Sequence, residues 1–202
     1  MLAALANPGW HPTRLVYYVD GKIDFMIAPT AVLERRDRFG RHVRVLVDKD
    51  ALTVGIAQGE PVHVSLPDET AFLTCVNEFY AAALMHARML VRDEPIKAKF
   101  RDWDMKTRLF TMIAWAHVAR YGDDRDVRPF GTGFRRWADR DVASQLDQCW
   151  SGLAPDAARQ ASNATIALFR TSSNRVADAA GLSEFEADAV IREIERILNT
   201  RP

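Results

Sequence analysis

Charged residues of both signs crowd the stretch 92–106: Arg92, Asp93, Glu94, Lys97, Lys99, Arg101, Asp102, Asp104 and Lys106. Such a set could clamp a phosphate with its lysines while its carboxylates grip an amine. The competing reading is the solvated face of an amphipathic helix, where mixed charges are ordinary. Further on, Trp115, His117 and Tyr121 could line a pocket for a polycationic sugar through cation–π contact, or serve only as core and cap residues. A third feature lies upstream, where Asp24 follows Lys22 by two residues in an apolar run. Residues two apart share a strand face, so Asp24 is an acid held on a strand rather than on a loop. Taken locally, it is a solvated carboxylate on the open face of an antiparallel pair.

These groups need elements to hold them. Residues 14–27 form two apolar runs joined by Asp20-Gly21, a hairpin signal because both turn positions want positive φ. Ile23, Phe25 and Ile27 then share one face, and Lys22, Asp24 and Met26 the other. Pro29 ends the strand, residues 31–36 suit one helical turn, and Gly40 marks a bend in a charged loop. Residues 43–47 read as a third strand before Asp48-Lys49-Asp50. An isolated hairpin is marginal in water, so this part wants a partner surface. Its exposed edge, residues 14–19, invites dimerisation or capture of a partner by strand addition.

From Ser65 the hydrophobic period changes from 2 to 3.6. Ser65 is expected to cap a helix with Asp68 as its capping-box partner, and Phe72, Val76, Phe79 or Tyr80, Ala83, Ala87 and Leu90 form its apolar stripe. Pro95 restarts a second helix with the stripe Trp103, Leu109, Met112, Ile113, Ala116 and Ala119, ending near Gly122. After a polar loop at 123–133, Asp139 and Asp141 open a short helix carrying Val142, Leu146 and Trp150. Asp156 caps another, with Ile166, Phe169, Val176 and Ala180 inward and Gly181 at its end. Ser183 and Glu186 form a capping box for a last helix packed through Phe185, Val190, Ile194 and Ile197. The fold class is α+β: a small β piece, residues 1–65, followed by a bundle of about five helices, residues 66–202.

Composition narrows the function classes. The chain has 202 residues, 48% of them hydrophobic and 27% charged, which supports a packed core. Lysine plus arginine equals aspartate plus glutamate at 27 each, so the formal net charge is zero. That argues against nucleic-acid binding driven by counterion release. Cys75 and Cys149, the two cysteines, lack metal-type spacing and read as reduced thiols of a cytoplasmic protein. No apolar run reaches membrane-spanning length. P-loop, GxGxxG, GxSxG and zinc spacings are absent.

Taken in order, several stretches resemble the streptomycin (aminoglycoside 6-) adenylyltransferase family of the nucleotidyltransferase superfamily. They are YYVDGKIDFMIAP at 17–29, VLVDKD at 45–50, NEFY at 77–80, RDEPIKAK at 92–99, WDMKTRLFTMIAW at 103–115, and ARYGDD with FGTGFRRWAD at 119–139. The resemblance implies transfer of AMP from ATP to an aminoglycoside hydroxyl, with a sheet whose three carboxylates bind two Mg²⁺ ions. Those metals clamp the triphosphate and activate the attacking hydroxyl. By resemblance Asp24 is the third carboxylate, catalytic and metal-binding; Lys99 or Lys106 steadies phosphates; and Glu78, Asp104 and Trp115 face the aminoglycoside.

The chain departs from the family pattern in two places. A Gly-Ser turn followed by an Asp-x-Asp strand, which carries the other two carboxylates, is expected upstream of residue 1. Ala114 stands where family members often place a glutamate before the tryptophan. The expectation is an incomplete nucleotidyltransferase sheet, a hairpin plus one or two strands, on a truncated chain that transfers AMP poorly. The alternative is a non-catalytic module whose helical bundle binds an aminoglycoside or a protein, with a homodimer forming through the exposed sheet edge.

Overall fold

The structure, a computed structural model, describes residues 12–34, 44–54, 64–122, 127, 131 and 133–200. The chain divides into two compact units, residues 1–62 and 63–202. Among the described residues the fold is α+β, a two-stranded antiparallel sheet with six helices. The expected bend at Gly40 and most of the loop 123–133 lie outside the described residues.

In the first unit β1 (Thr13–Tyr18) pairs with β2 (Gly21–Met26). The register sets Leu15 opposite Asp24 and Tyr17 opposite Lys22. Tyr18 pairs with Gly21, so the turn residues are Val19 and Asp20 rather than Asp20 and Gly21. None of these three has positive φ, which removes the backbone geometry that the Asp-Gly reading relied on. A 3-10 turn follows at Thr30–Glu34.

The third strand expected at 43–47 is not seen among the described residues. Arg44 to Asp48 has no regular structure, and Val45, Leu46 and Val47 are exposed. β-propensity is realised only against a pairing neighbour, and none is supplied here. Asp48 instead staples a turn: its carboxylate accepts the Leu52 and Thr53 N–H groups at 3.1 and 2.9 Å, and the Thr53 hydroxyl. Those bonds, the hydroxyl's first, hold its pKa below the ordinary carboxylate value.

The second unit is helical: α1 (Glu69–Val91), α2 (Pro95–Tyr121), α3 (Phe134–Trp137), α4 (Arg140–Asp147), α5 (Pro155–Ala180) and α6 (Asp188–Leu198). α1 packs on α2, α5 and α6, and α5 also packs on α2 and α4. The α1 stripe is buried as its period requires, through Phe72, Val76, Phe79, Tyr80, Ala83 and Ala87. Phe79 stacks on Phe169 of α5 at 3.6 Å between ring centroids. Cys75 and Cys149 are free and buried, and burial pushes the Cys75 thiol up to about 12.

Three helix starts differ from expectation. Asp68, not Ser65, caps α1, its carboxylate accepting the Ala71 N–H at 2.7 Å. Pro67 disfavours helical backbone at Leu66, so the start slides past Ser65. Pro155 begins α5 as its first helical residue, which leaves Ala154 at the cap and Asp156 inside the first turn, where its charge complements the helix dipole. The last helix begins at Asp188 rather than at Ser183, because Phe185 first docks on Tyr80, 5.3 Å between centroids. Asp68→Ala is expected to cost the helical unit about 1 kcal/mol in urea unfolding, the ordinary worth of a cap.

Candidate functional site

α1 and α2 are joined by the short turn 92–94, in which Asp93 has φ 54°, and so run antiparallel along one seam. On that seam small side chains leave a groove of about 280 Å³, with Glu78, Ala81, Ala82 and Met85 from α1 facing Asp104, Thr107 and Arg108 from α2. Two of the acids singled out in the sequence, Glu78 and Asp104, thus share one open groove. Glu78 accepts from Arg108 Nε at 2.8 Å, and Asp104 from Arg101 Nη1 at 2.9 Å. All four side chains are between 40% and 50% exposed, so each pair is worth about 1 kcal/mol or less. The groove therefore keeps two carboxylates within reach of a cationic ligand.

The two lysines lie elsewhere and differ from each other. Lys106 is fully buried, donating to Asp102 and, at 3.0 Å, to the Thr165 hydroxyl of α5. Its ammonium also sits 5.3 Å from the centroid of the Trp150 ring. Lys99 keeps part of its surface in solvent and donates to the Ser151 carbonyl at 2.8 Å and hydroxyl at 2.9 Å. Trp115 is half-buried against the core and does not line the groove. Nearby, Tyr121 and Arg120 donate to Asp139 at 2.6 and 2.8 Å, and Asp139 makes no side-chain capping bond to α4.

The charged stretch 92–106 is thus not uniformly a solvated face. Asp102 and Lys106 point inward, whereas Trp103, expected in the core stripe, is 56% exposed. The buried stripe of α2 runs Ala98, Asp102, Met105, Leu109, Met112, Ala116, a regular alternation of four- and three-residue steps. That spacing was available in the sequence, but a carboxylate occupying a core position hid it. Trp150 was expected on α4, yet the helix ends at Asp147 and Trp150 lies beyond it.

His86 on α1 is buried, and its Nδ1 has no hydrogen-bond partner among the described residues. Burial pushes its pKa down to about 4; Asp102 opposes that shift, and Lys106 and Lys99 add to it. The folded state therefore holds a neutral imidazole, while the unfolded chain takes up a proton near pH 6.5. Stability is expected to fall as pH drops from 6.5 toward 4, by up to about 3 kcal/mol from this group. Urea midpoints at pH 7.5 and 4.5 check it: His86→Leu should lose distinctly less on acidification than the parent.

In the first unit Asp24 is half-exposed and its carboxylate lies 3.2 Å from the Lys22 ammonium on the same strand face. Among the described residues no group of three or more aspartate, glutamate, histidine or cysteine side chains could hold a metal ion. One carboxylate already paired with an ammonium does not fit a pair of Mg²⁺ ions, which need several oxygen ligands each. No helix among the described residues is long and apolar enough to cross a membrane.

Comparison with known proteins decides the family. The pattern described as streptomycin adenylyltransferase matches residues 5–195. The chain belongs to the streptomycin adenylyltransferase family. The fold agrees: the crystal structure of an aminoglycoside 6-adenyltransferase from Bacillus subtilis superposes with a TM-score of 0.61 at 17% identity, covering 96% of this chain and 73% of that one. At that identity the likeness is one of fold. No curated protein sequence matches the chain. Family membership and fold together support an aminoglycoside adenylyltransferase type of function. In this family member the groove acids Glu78 and Asp104 were reachable from the sequence only by resemblance; their meeting follows from the helical hairpin.

Proposed function

We propose that this chain seats an aminoglycoside in the α1–α2 groove, where Glu78 and Asp104 receive its cationic groups. The reading rests on one observation: acids from two different helices line one groove in a member of the streptomycin adenylyltransferase family. A carboxylate accepting from an ammonium or guanidinium forms the stronger, charge-assisted kind of hydrogen bond, and two of them fix a polycation's orientation. The family's chemistry is the movement of AMP from ATP to a sugar hydroxyl. Mg²⁺, when bound, neutralises the triphosphate in such a transfer. Of the two lysines, Lys99 is the one with solvent access and so the one placed to meet a phosphate; Lys106 holds α2 to α5.

Transfer that relies on Asp24 as a metal ligand is expected to be slow. Asp24 is the one acid assigned to the metals, and it is paired with Lys22. An assay of AMP transfer from ATP to streptomycin in Mg²⁺ tests this, with streptomycin binding measured alongside by calorimetry. The expected outcome is saturable streptomycin binding with transfer near background, unchanged in Asp24→Asn. Brisk transfer abolished by Asp24→Asn would show that Asp24 works within a sufficient metal site and would overturn the slow-transfer reading. Absence of streptomycin binding would overturn the groove reading.

A further inference from the structure

The groove's acids do not wait for a ligand with open hands. Arg108 lines the same groove as Glu78 and donates to it at 2.8 Å. It stands one helical turn, about 6 Å, from Asp104 along α2, and Asp104 in turn accepts from Arg101. We propose that Arg108 is a built-in competitor: its guanidinium holds the Glu78 seat and must yield it when a cationic aminoglycoside binds. The inference rests on the reading of the groove as the aminoglycoside seat and names the residue that sets its affinity and salt response.

Charge argues for competition over a separate anion site at Arg108. An anion drawn to this guanidinium would meet Glu78 and Asp104 in the same groove, both repelling it. A cation meets two carboxylates, each held by a half-exposed arginine that can swing away, and of the two arginines Arg108 is the one that lines the groove. Both partners of the Glu78–Arg108 pair are near half-exposed, so the contact is weak enough to be exchanged. A pair of that exposure is worth at most about fivefold in an equilibrium constant.

The exchange has a second consequence. A ligand that replaces Arg108 swaps one ion pair for another at Glu78, so little net charge pairing is gained there. Salt then weakens binding less steeply than it does when Glu78 starts unpaired.

Calorimetric titration of streptomycin into the full chain tests the proposal, using the parent, Arg108→Gln, Arg108→Lys, Glu78→Gln and the Glu78→Gln/Arg108→Gln double variant. Circular-dichroism melts confirm that each is folded. Arg108→Gln is expected to bind about two- to fivefold tighter than the parent and to lose affinity more steeply between 50 and 300 mM salt. Arg108→Lys, which keeps a cation, should return toward the parent. In the Glu78→Gln background the tightening should vanish. Unchanged or weaker binding by Arg108→Gln, including no detectable binding by either protein, overturns the proposal. If Glu78→Gln weakens binding while Arg108→Gln does not tighten it, the competition fails and the groove reading stands. If Glu78→Gln binds as well as the parent, the groove reading fails and the competition with it.

Discussion

Replacing Lys106 with methionine is expected to destabilise the helical unit by about 3 to 5 kcal/mol, the cost of leaving one partner of a buried ion pair alone. Lys106 has no exposed surface, and Asp102 on the preceding turn of α2 is 7% exposed. Without the ammonium, the Asp102 carboxylate stays in the interior and the Thr165 hydroxyl loses its donor. Lys99, with Nζ 4.0 Å from the other Asp102 oxygen, compensates in part and draws the loss toward the lower figure. At about 2 to 4 °C per kcal/mol for a unit of this size, the melting midpoint should fall by roughly 10 °C.

Removing the other partner as well should recover most of that loss. In Asp102→Leu/Lys106→Met two apolar side chains of similar length replace the pair, and such replacements are often neutral or stabilising. A single Lys106→Met variant within 1 kcal/mol of the parent in urea unfolding would contradict the account. It would mean that the Asp102 carboxylate can reach water at little cost.

The second large effect is on binding. Glu78→Gln/Asp104→Asn is expected to weaken streptomycin binding by about 10- to 100-fold in low salt. A hydrogen bond to a charged group is worth about 1.5 to 3 kcal/mol, but solvent screening of these half-exposed acids brings the two together down to about 1.4 to 2.7 kcal/mol. The change also frees Arg108 and Arg101 from their acids, so the groove turns from mixed to positive and repels a polycation. Folding should lose no more than about 1 to 2 kcal/mol, because each of the two broken surface pairs is worth about 1 kcal/mol or less. Rising salt should narrow the gap between variant and parent, since exposed charges are screened.

Much of the bundle was legible in the sequence because period 3.6 survives in a one-dimensional string. Phe72, Val76, Phe79, Ala83 and Ala87 announce their helix and are all buried. What escaped was set by competition between local signals. Pro67 and Pro155 moved two helix starts away from the polar residues that looked like caps, and Phe185 docked on Tyr80 before the last helix could begin. Residues 44–47 have the composition of a strand, but pairing is a tertiary event that composition cannot guarantee.

The site divides in the same way. Glu78 and Asp104 stand 26 positions apart and carry no local signal of a shared groove. A three-residue turn between two long helices brings them together, and Ala81 and Ala82 leave the space between them. Asp102, read among surface charges, is a core residue, and the alternation of four- and three-residue steps through Ala98, Met105 and Leu109 was the sign that it would be; Lys106, four residues on, is buried beside it.

The central claim is that the α1–α2 groove is the aminoglycoside seat, and the methionines offer a direct view of it. Met85 lines the groove at 37% exposure, whereas Met105 and Met112 are fully buried in the core. With ¹³C-labelled methionine methyl groups, titration with streptomycin should shift the Met85 resonance to saturation and leave Met105 and Met112 in place. The shift should require far more ligand in Glu78→Gln/Asp104→Asn. A Met85 signal that stays fixed while streptomycin binds, by calorimetry on the same sample, would contradict the claim and put the seat elsewhere on the chain.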